Sequence, residues 1–389
     1  MNYKLYCLEC QHEFEEDDFY NSCPECGGVI DTRIKNIKQA RPDYRCYTIM
    51  KWHRYLPIDD YWLDFAIGHE VTKSSPMILS QCIGNKHGVK LWMKDETIHQ
   101  TGTMKDREGL LTIIRLLKNN KRGLSIASSG NAGISLAWYA TMMKGPHVHL
   151  YLPECSRERM EALVEKFTTK DFVTVTYVEG STDEAGDMAK KYAIENDIPF
   201  GTGFRNYSRR EGVKTLALEY IFENRPADWY FQGCAGALAM HAFYKAHKEL
   251  SIKCPRIVGV QPDACSPFVD AYRDDAKYLD DKYIPSKPVV VPEAPVLKSR
   301  KPIDAYPIIK AELDEVDGYM EKVSSDEIFS AFEEFKKEPY FKDRKIPVGL
   351  EASTALAGII KMRRENIIKK NETVLLNVSG LARPGDIKC

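Results

Sequence analysis

From Val89 onward the chain alternates short runs of apolar, often β-branched residues with longer stretches in which apolar positions recur every three to four residues. That alternation is the signature of buried parallel strands joined by amphipathic helices. It predicts strands over Lys90–Met93, Leu124–Ala127, Val148–Leu152, Val173–Val178, Trp229–Phe231, Ile257–Gln261 and Val374–Val378. Helices are predicted between them, at Arg107–Leu117, Ile134–Met143, Asp183–Glu195 and Leu238–Lys248. The fold class is therefore α/β with a mostly parallel sheet. Residues 29–70 are polar and aromatic without a clean period and read as a connecting and packing arm. Between Lys277 and Pro307, six prolines (Pro285, Pro288, Pro292, Pro295, Pro302 and Pro307) exclude a regular element. The segment reads as a long surface excursion, with a lid or subunit contact as the alternative. The acidic stretch Glu312 to Glu327 reads as solvated surface.

Composition narrows the function classes. At 389 residues the chain has room for two or three domains at ~150 residues each. No apolar run reaches the ~18 residues of a membrane helix. Lys and Arg number 55 against 56 Asp and Glu, so a net charge of −1 provides no field to draw the chain onto nucleic acid or anionic lipid. A small-molecule partner is expected. The opening Met1-Asn2-Tyr3-Lys4-Leu5-Tyr6-Cys7 lacks the apolar core of a signal peptide and the Arg/Ser bias of a transit peptide, so a cytoplasmic location is expected.

Seven of the eleven cysteines (Cys46, Cys82, Cys155, Cys234, Cys254, Cys265 and Cys389) are scattered, which argues against a disulfide framework. The other four form two Cys-x-x-Cys knuckles, Cys7-Leu8-Glu9-Cys10 and Cys23-Pro24-Glu25-Cys26. Two such turns bring four thiolates to a tetrahedral Zn²⁺ and leave no position open for catalysis, so a structural zinc ribbon is expected. Gly27 and Gly28 follow the second knuckle, where positive φ is needed. His12 is a possible substitute ligand, although a solvated histidine is the commoner case. His147 and His149 alternate onto one strand face, as a metal pair would need, but no third ligand lies nearby.

Three segments lie where a strand hands over to a helix, the position at which open parallel sheets bind ligands. The first, His99 to Gly109, has a Thr103/Asp106 capping pattern that sets Lys105 in the first turn of a helix. The positive end of the helix dipole disfavours an ammonium there, which suits an amine nucleophile. The second is Ser128-Ser129-Gly130-Asn131-Ala132-Gly133, where Ser129 can cap the next helix and the Asn131 amide can donate to an anionic oxygen. In the third, Gln232-Gly233-Cys234-Ala235-Gly236-Ala237-Leu238, successive backbone N–H groups form a phosphate cradle. The glycine spacing does not fit a dinucleotide fingerprint, and a mononucleotide-sized phosphate suits it better.

Taken together and in this order, the three motifs resemble those of the threonine synthase group of fold-type-II pyridoxal-phosphate enzymes. Asn206-Tyr207-Ser208-Arg209-Arg210-Glu211-Gly212-Val213-Lys214-Thr215, Pro255–Gln261 and Glu351–Gly358 resemble further segments of that family, so the likeness runs from about residue 65 to 385. The resemblance implies a tryptophan-synthase-β-like pair of open twisted sheets flanked by helices, carrying an N-terminal zinc ribbon. The domains implied are 1–45 (ribbon and arm), 46–95 plus 208–389 (large, cofactor-binding) and 96–207 (small). Lys105 would bond the cofactor's aldehyde and act as the proton-moving base, while Asn131 would meet its phenolic oxygen. Gly233, Cys234, Ala235, Gly236 and Ala237 would hold its phosphate, and the Ser379 hydroxyl would face its pyridine nitrogen. Thr101, Ser128, Ser129, Asn206 and Arg209 would contact the substrate. Cys7, Cys10, Cys23 and Cys26 would hold zinc.

Departures cluster where substrate contacts are expected. His99-Gln100 replaces the family's Asn-Pro, Lys73-Ser74-Ser75-Pro76 replaces Gly-Asn-Thr-Pro, Ala132 replaces a common Thr, and Gly380-Leu381-Ala382-Arg383 replaces Gly-His-Gly. The resemblance accordingly implies conversion of O-phosphohomoserine and water to threonine and phosphate. The alternatives are β-replacement on phosphoserine or another activated amino acid, as cysteate synthase does with sulfite, dehydratase chemistry, and a non-catalytic ribbon protein. The implied partner is a phosphorylated amino acid, and the family's habit is a homodimer.

Overall fold

The computed structural model describes residues 2–14, 17–67, 69, 71–223, 225–285, 297 and 301–383. Its strands, in chain order, are β1 (Tyr3–Cys7), β2 (Glu13–Phe14), β3 (Ile30–Ile34), β4 (Met77–Leu79) and β5 (Lys90–Asp95). There follow β6 (Gly123–Ala127), β7 (His147–Pro153), β8 (Val173–Val178), β9 (Phe200–Gly201), β10 (Trp229–Gly233), β11 (Arg256–Pro262), β12 (Tyr319–Val323) and β13 (Thr373–Val378). All seven strands predicted from periodicity are present, as are the four helices, which run Lys105–Lys118, Asn131–Met142, Thr182–Glu195 and Leu238–Leu250.

The chain divides into two compact units. The first comprises Met1–Ser74 and Lys105–Leu218, the second Ser75–Met104 and Glu219–Cys389. Segments 46–74 and 208–218, expected with the large domain, therefore group with the ribbon and the small sheet, whereas 96–104 groups with the large sheet.

The first unit holds an antiparallel ribbon sheet, β2-β1-β3, and a parallel four-stranded sheet, β8-β7-β6-β9. Glycines permit its close helix packing. A Cβ on Gly109 would lie 2.3 Å from Ser135 Oγ, and one on Gly212 would lie 2.0 Å from the Arg107 carbonyl oxygen. The Lys105–Lys118 helix is thus pressed backbone to backbone against the Tyr207–Phe222 helix. The arm is more structured than its composition suggests. It contributes β3 and a 3₁₀ helix, Ile49–Tyr55, whose Trp52 and Tyr55 rings are buried.

The second unit is a six-stranded sheet, β12-β11-β10-β13-β5-β4, parallel except for the short edge strand β4. Val258, Val260, Val374, Leu376 and Val378 of its central strands pack with Leu356 and Ile359 of the Leu350–Arg364 helix in one apolar core. The acidic stretch is not simply solvated. It spans the end of the Tyr306–Glu315 helix and edge strand β12, and two of its carboxylates are buried against partners: His241 Nδ1 meets Glu312 at 2.6 Å, and Glu321 takes Arg273 at 2.6 Å and Lys361 at 3.0 Å. Cys389 and residues 286–296 and 298–300 of the expected excursion lie outside the described residues. Its far end enters the Tyr306–Glu315 helix with Pro307 in the first turn, a position where a missing N–H costs nothing. Among the described residues no helix is long and apolar enough to cross a membrane.

Candidate functional site

The four clustered cysteines meet at one point. Their sulfurs all lie within 4.8 Å of one another, with Cys7 to Cys26 at 3.5 Å and Cys10 to Cys23 at 3.8 Å. With Zn–S bonds of about 2.3 Å, a tetrahedral site sets its sulfurs ~3.8 Å apart, so the spacing fits the ion. The two knuckles are built alike. Cys7 and Cys23 N–H donate to His12 O and Gly28 O, and each turn closes on a residue with positive φ, Gln11 at 60° and Gly27 at 76°. The Glu9 and Gly28 N–H groups point at Cys7 and Cys26 sulfur, both at 3.4 Å; the Gly28 N–H lowers the Cys26 thiol below its ordinary value, whereas burial pushes Cys7 up to about 12. Gly28 is needed for close approach rather than for φ, since a Cβ there would lie 2.9 Å from Cys7 Sγ. His12 O serves the first knuckle through its backbone.

The ribbon is seated on the elements that carry the first unit's site residues. Arg205 donates to Ser22 Oγ and Gly27 O, both at 2.8 Å, and Asn21 donates to Phe200 O at 2.9 Å. Asp17 takes both Arg115 Nε and Nη2 at 2.7 Å. Burial would raise the Asp17 carboxyl, but the Arg115 guanidinium outweighs it and the group stays below its ordinary value.

In the first unit, Lys105 is the first residue of its helix, as the motif predicts, but it does not face the dipole alone. Its Nζ lies 2.6 Å from Glu108 Oε1, one turn on. Glu108 Oε2 accepts from Arg209 Nε at 2.8 Å and Nη2 at 2.6 Å. Burial would raise Glu108, yet the charges of Lys105 and Arg209 prevail and hold it ionised. Arg209 Nη1 donates to Thr202 O at 2.8 Å. The Asn131–Met142 helix packs alongside, with Ser135 Oγ donating to Lys105 O at 2.8 Å. Its cap is Ser128 rather than Ser129: Ser128 Oγ accepts from Gly130 and Gly133 N–H at 3.0 and 3.1 Å. The Ser129 carbonyl takes Arg159 instead. Asn131 is the half-buried first residue of that helix. Asn206, expected at the substrate, is 1% exposed and acts as a structural node, its Oδ1 accepting from Arg115 at 3.0 Å and from Ser208 N–H at 3.1 Å.

In the second unit, the loop preceding the lysine lies against the segment that follows β13. Met104 N–H donates to Ser379 O, Leu381 N–H donates to Gly102 O, both at 2.9 Å, and Arg383 donates to Thr101 O. Ser379 is thereby fixed beside the residue that immediately precedes Lys105. Thr101 is 1% exposed. The loop after β10 keeps only part of the expected cradle. Cys234 N–H donates to Val260 O at 2.8 Å, continuing the β10–β11 ladder, and so cannot hold a phosphate. Ala237 N–H is directed at Cys234 sulfur, and burial pushes that thiol up to about 12, so it stays neutral. Ala235 and Gly236 supply the remaining N–H groups, and a Cβ at Gly236 would meet nothing within 4 Å. That open approach to backbone suits a phosphate. Gly233 cannot gain a side chain, since a Cβ would lie 2.5 Å from Glu351 O.

Two features escaped the sequence. Glu108 could have been flagged by its i,i+3 spacing from Lys105. The other is a buried polar chain in the second unit: His99 Nε2 to Glu96 Oε2 at 2.7 Å, Ser75 Oγ to Glu96 Oε1 at 2.5 Å, Ser75 N–H to Glu219 at 3.1 Å, and Lys94 to Glu219 at 2.9 Å. It links Ser75 and His99, which belong to two segments that depart from the motif pattern. The His147 and His149 rings lie 4.6 Å apart with their planes tilted by 39°, His147 Nε2 bonds Thr174 Oγ1 at 2.8 Å, and among the described residues the pair joins no cluster of three or more metal-ligating side chains.

Residues 70–380 match the family described as pyridoxal-phosphate dependent enzyme. A threonine synthase of Methanocaldococcus jannaschii is 27% identical, with 96% of this chain and 91% of that protein covered. A cysteate synthase of Methanospirillum hungatei JF-1 is 24% identical, with 97% and 89% covered. Maize serine racemase shares the fold at a TM-score of 0.66 and 17% identity, covering 79% of this chain and 88% of its own.

Proposed function

This chain belongs to the pyridoxal-phosphate dependent enzyme family, and from that premise we propose that it is a synthase that converts O-phosphohomoserine and water to threonine and phosphate. One observation carries the reading: Lys105 and Arg209 share a single buried carboxylate, Glu108, which sets a proton-moving amine and an anion-binding guanidinium within one side chain's reach. The family resemblance assigns cofactor roles to residues of each unit, taken separately. Lys105 would hold it covalently, Asn131 would donate to its ring oxygen, Ala235 and Gly236 N–H would take its phosphate, and the Ser379 hydroxyl would meet its ring nitrogen. Bound there, pyridoxal phosphate supplies the electron sink for carbanion chemistry next to the substrate nitrogen. The Lys105 amine takes the proton from the substrate's Cα and moves protons at Cβ, where water adds after phosphate has left Cγ. Arg209, with Ser128 and Ser129 on the neighbouring loop, recognises the anionic ends of the substrate. Four thiolates with N–H donors on sulfur fit a structural zinc at Cys7, Cys10, Cys23 and Cys26.

A second reading, β-replacement on phosphoserine with a nucleophile such as sulfite, is favoured by the buried Ser75–Glu96–His99 chain. It puts a different set of polar groups at two of the segments that depart from the family pattern. The resemblance of the chain to both a threonine synthase and a cysteate synthase supports carrying both. The test is to mix the cofactor-loaded protein with O-phosphohomoserine, phosphoserine, serine or threonine, with and without sulfite. Equimolar phosphate and threonine from O-phosphohomoserine are expected. Phosphate from phosphoserine alone, with cysteate formed from sulfite, would establish the second reading instead.

A further inference from the structure

Glu108 is a charged group in the interior that the reaction outlined above does not employ. It is 2% exposed, and its carboxylate is divided between two cations, Lys105 Nζ at 2.6 Å on one oxygen and Arg209 Nε and Nη2 at 2.8 and 2.6 Å on the other. The arrangement has little room to relax. A Cβ on Gly212 would lie 2.0 Å from the Arg107 carbonyl oxygen, so the Tyr207–Phe222 helix packs directly on that backbone, and Arg209 is also held by Thr202 O at 2.8 Å. The charged groups facing the carboxylate are Lys105 from its own helix and Arg209 from the Tyr207–Phe222 helix. The Asn131–Met142 helix brings no charged side chain, only the Ser135 hydroxyl on Lys105 O and the Tyr139 phenol, which is bound to Thr72. Without the anion, the lysine nitrogen and the guanidinium would repel each other in a poorly solvated setting.

We propose that Glu108 is a positioning residue that holds the lysine nitrogen and the anion-binding arginine in one geometry and favours the proton on that nitrogen. The proposal deepens the reading of Lys105 as the cofactor's lysine and rests on it. Glu108 acts through Lys105 and Arg209, and no proton or bond of the reaction passes to its own carboxylate. Its negative charge steadies the proton that the lysine nitrogen takes up from the substrate until it is passed on, and offsets the repulsion between the two cations.

Glu108→Gln keeps the shape and removes the charge. The experiment uses the full-length, cofactor-loaded protein and follows the visible absorbance of the bound cofactor, which reports the proton on its bond to lysine, from neutral to alkaline pH. In Glu108→Gln the midpoint is expected to fall by about one unit, the lower end of the effect of an adjacent opposite charge, so that the deprotonated fraction relative to the protonated one rises ~10-fold at fixed pH. Arg209→Gln removes a cation and leaves Glu108 to Lys105 alone, so its midpoint should rise. A residue with a packing role only would alter stability and leave both midpoints in place. Superimposed wild-type and Glu108→Gln curves overturn the proposal. If Glu108→Gln does not fold, Arg209→Gln decides, a rise supporting the proposal and an unchanged or lower midpoint overturning it. Lys105→Ala separates the two levels. Loss of the visible band with superimposed Glu108→Gln curves defeats Glu108 alone, whereas a band that survives in Lys105→Ala defeats the underlying reading and the proposal with it.

Discussion

Gly212→Ala is the sharpest test of how the first unit assembles its charged cluster. The added Cβ would lie 2.0 Å from Arg107 O, 2.7 Å from Arg107 C and 3.2 Å from Glu108 Cα, all backbone atoms that cannot swing aside. To restore ordinary contact, which begins at 3.4 Å, the two helices must separate by roughly 1.4 Å. The Arg209–Glu108 contacts at 2.6 and 2.8 Å would then lengthen beyond hydrogen-bonding range. Overpacking costs about 1–3 kcal/mol, and weakening a buried ion pair adds to it, so a total of about 3–5 kcal/mol is expected. For a unit of this size each kcal/mol moves the melting temperature by about 2–4 °C, which places the drop near ~10 °C. Differential scanning calorimetry of the variant beside Gly186→Ala gives an internal control. Gly186 lies within the Thr182–Glu195 helix with nothing within 4 Å of a Cβ, so alanine there should stabilise by about 0.5–1 kcal/mol. A Gly212→Ala protein that melts within about 2 °C of wild type would refute the close-packing account.

Further outcomes follow from individual contacts. Zinc analysis should find one ion per chain, and Cys10→Ser should lose it and lower the melting temperature of the first unit; a full complement of zinc in Cys10→Ser would count against the four-thiolate site. Ser128→Ala removes the acceptor for two N–H groups at the start of the Asn131–Met142 helix and should cost about 1 kcal/mol by urea titration, whereas Ser129→Ala should cost far less. Burial lowers His247 from 6.5 to about 4, its Nδ1–H being held by Phe243 O at 2.8 Å. The unfolded chain therefore takes up a proton between those pH values that the folded chain refuses, and stability is lost as pH falls through the window. His247→Gln should flatten the fall in urea midpoint between pH 6.5 and 4, and an unchanged slope would assign it to other groups.

Most strands of the two larger sheets were legible because they read as short, largely apolar runs, Val148–Leu152 broken only by His149 and Val374–Val378 only by Asn377. The lysine, the knuckle cysteines and the serine after β13 were legible because each sits in a short local motif. The strands β1 to β3 were not, since β2 has only two residues and Lys4, Asp31, Thr32 and Arg33 break up the apolar positions of the other two. The acidic helix and β12 were misread because charge was taken as a mark of solvent, whereas Glu312 and Glu321 are matched by His241, Arg273 and Lys361 from elsewhere in the chain. The same reason hid Glu108. Its i,i+3 spacing from Lys105 is one that surface glutamates share, and the helix contact at Gly212, a hundred residues on, buries it beside Arg209. Likewise Asn206 looked like a ligand residue until Arg115 and Ser208 were found on its carbonyl oxygen.

The account stands on Lys105 as the residue that bonds the cofactor. Reduction of the cofactor-loaded protein with borohydride, followed by proteolysis and mass mapping, tests this without reference to substrate. The pyridoxyl mass is predicted on the peptide containing Thr103-Met104-Lys105-Asp106 and nowhere else. A stable label on any other lysine, or none at all, would contradict it.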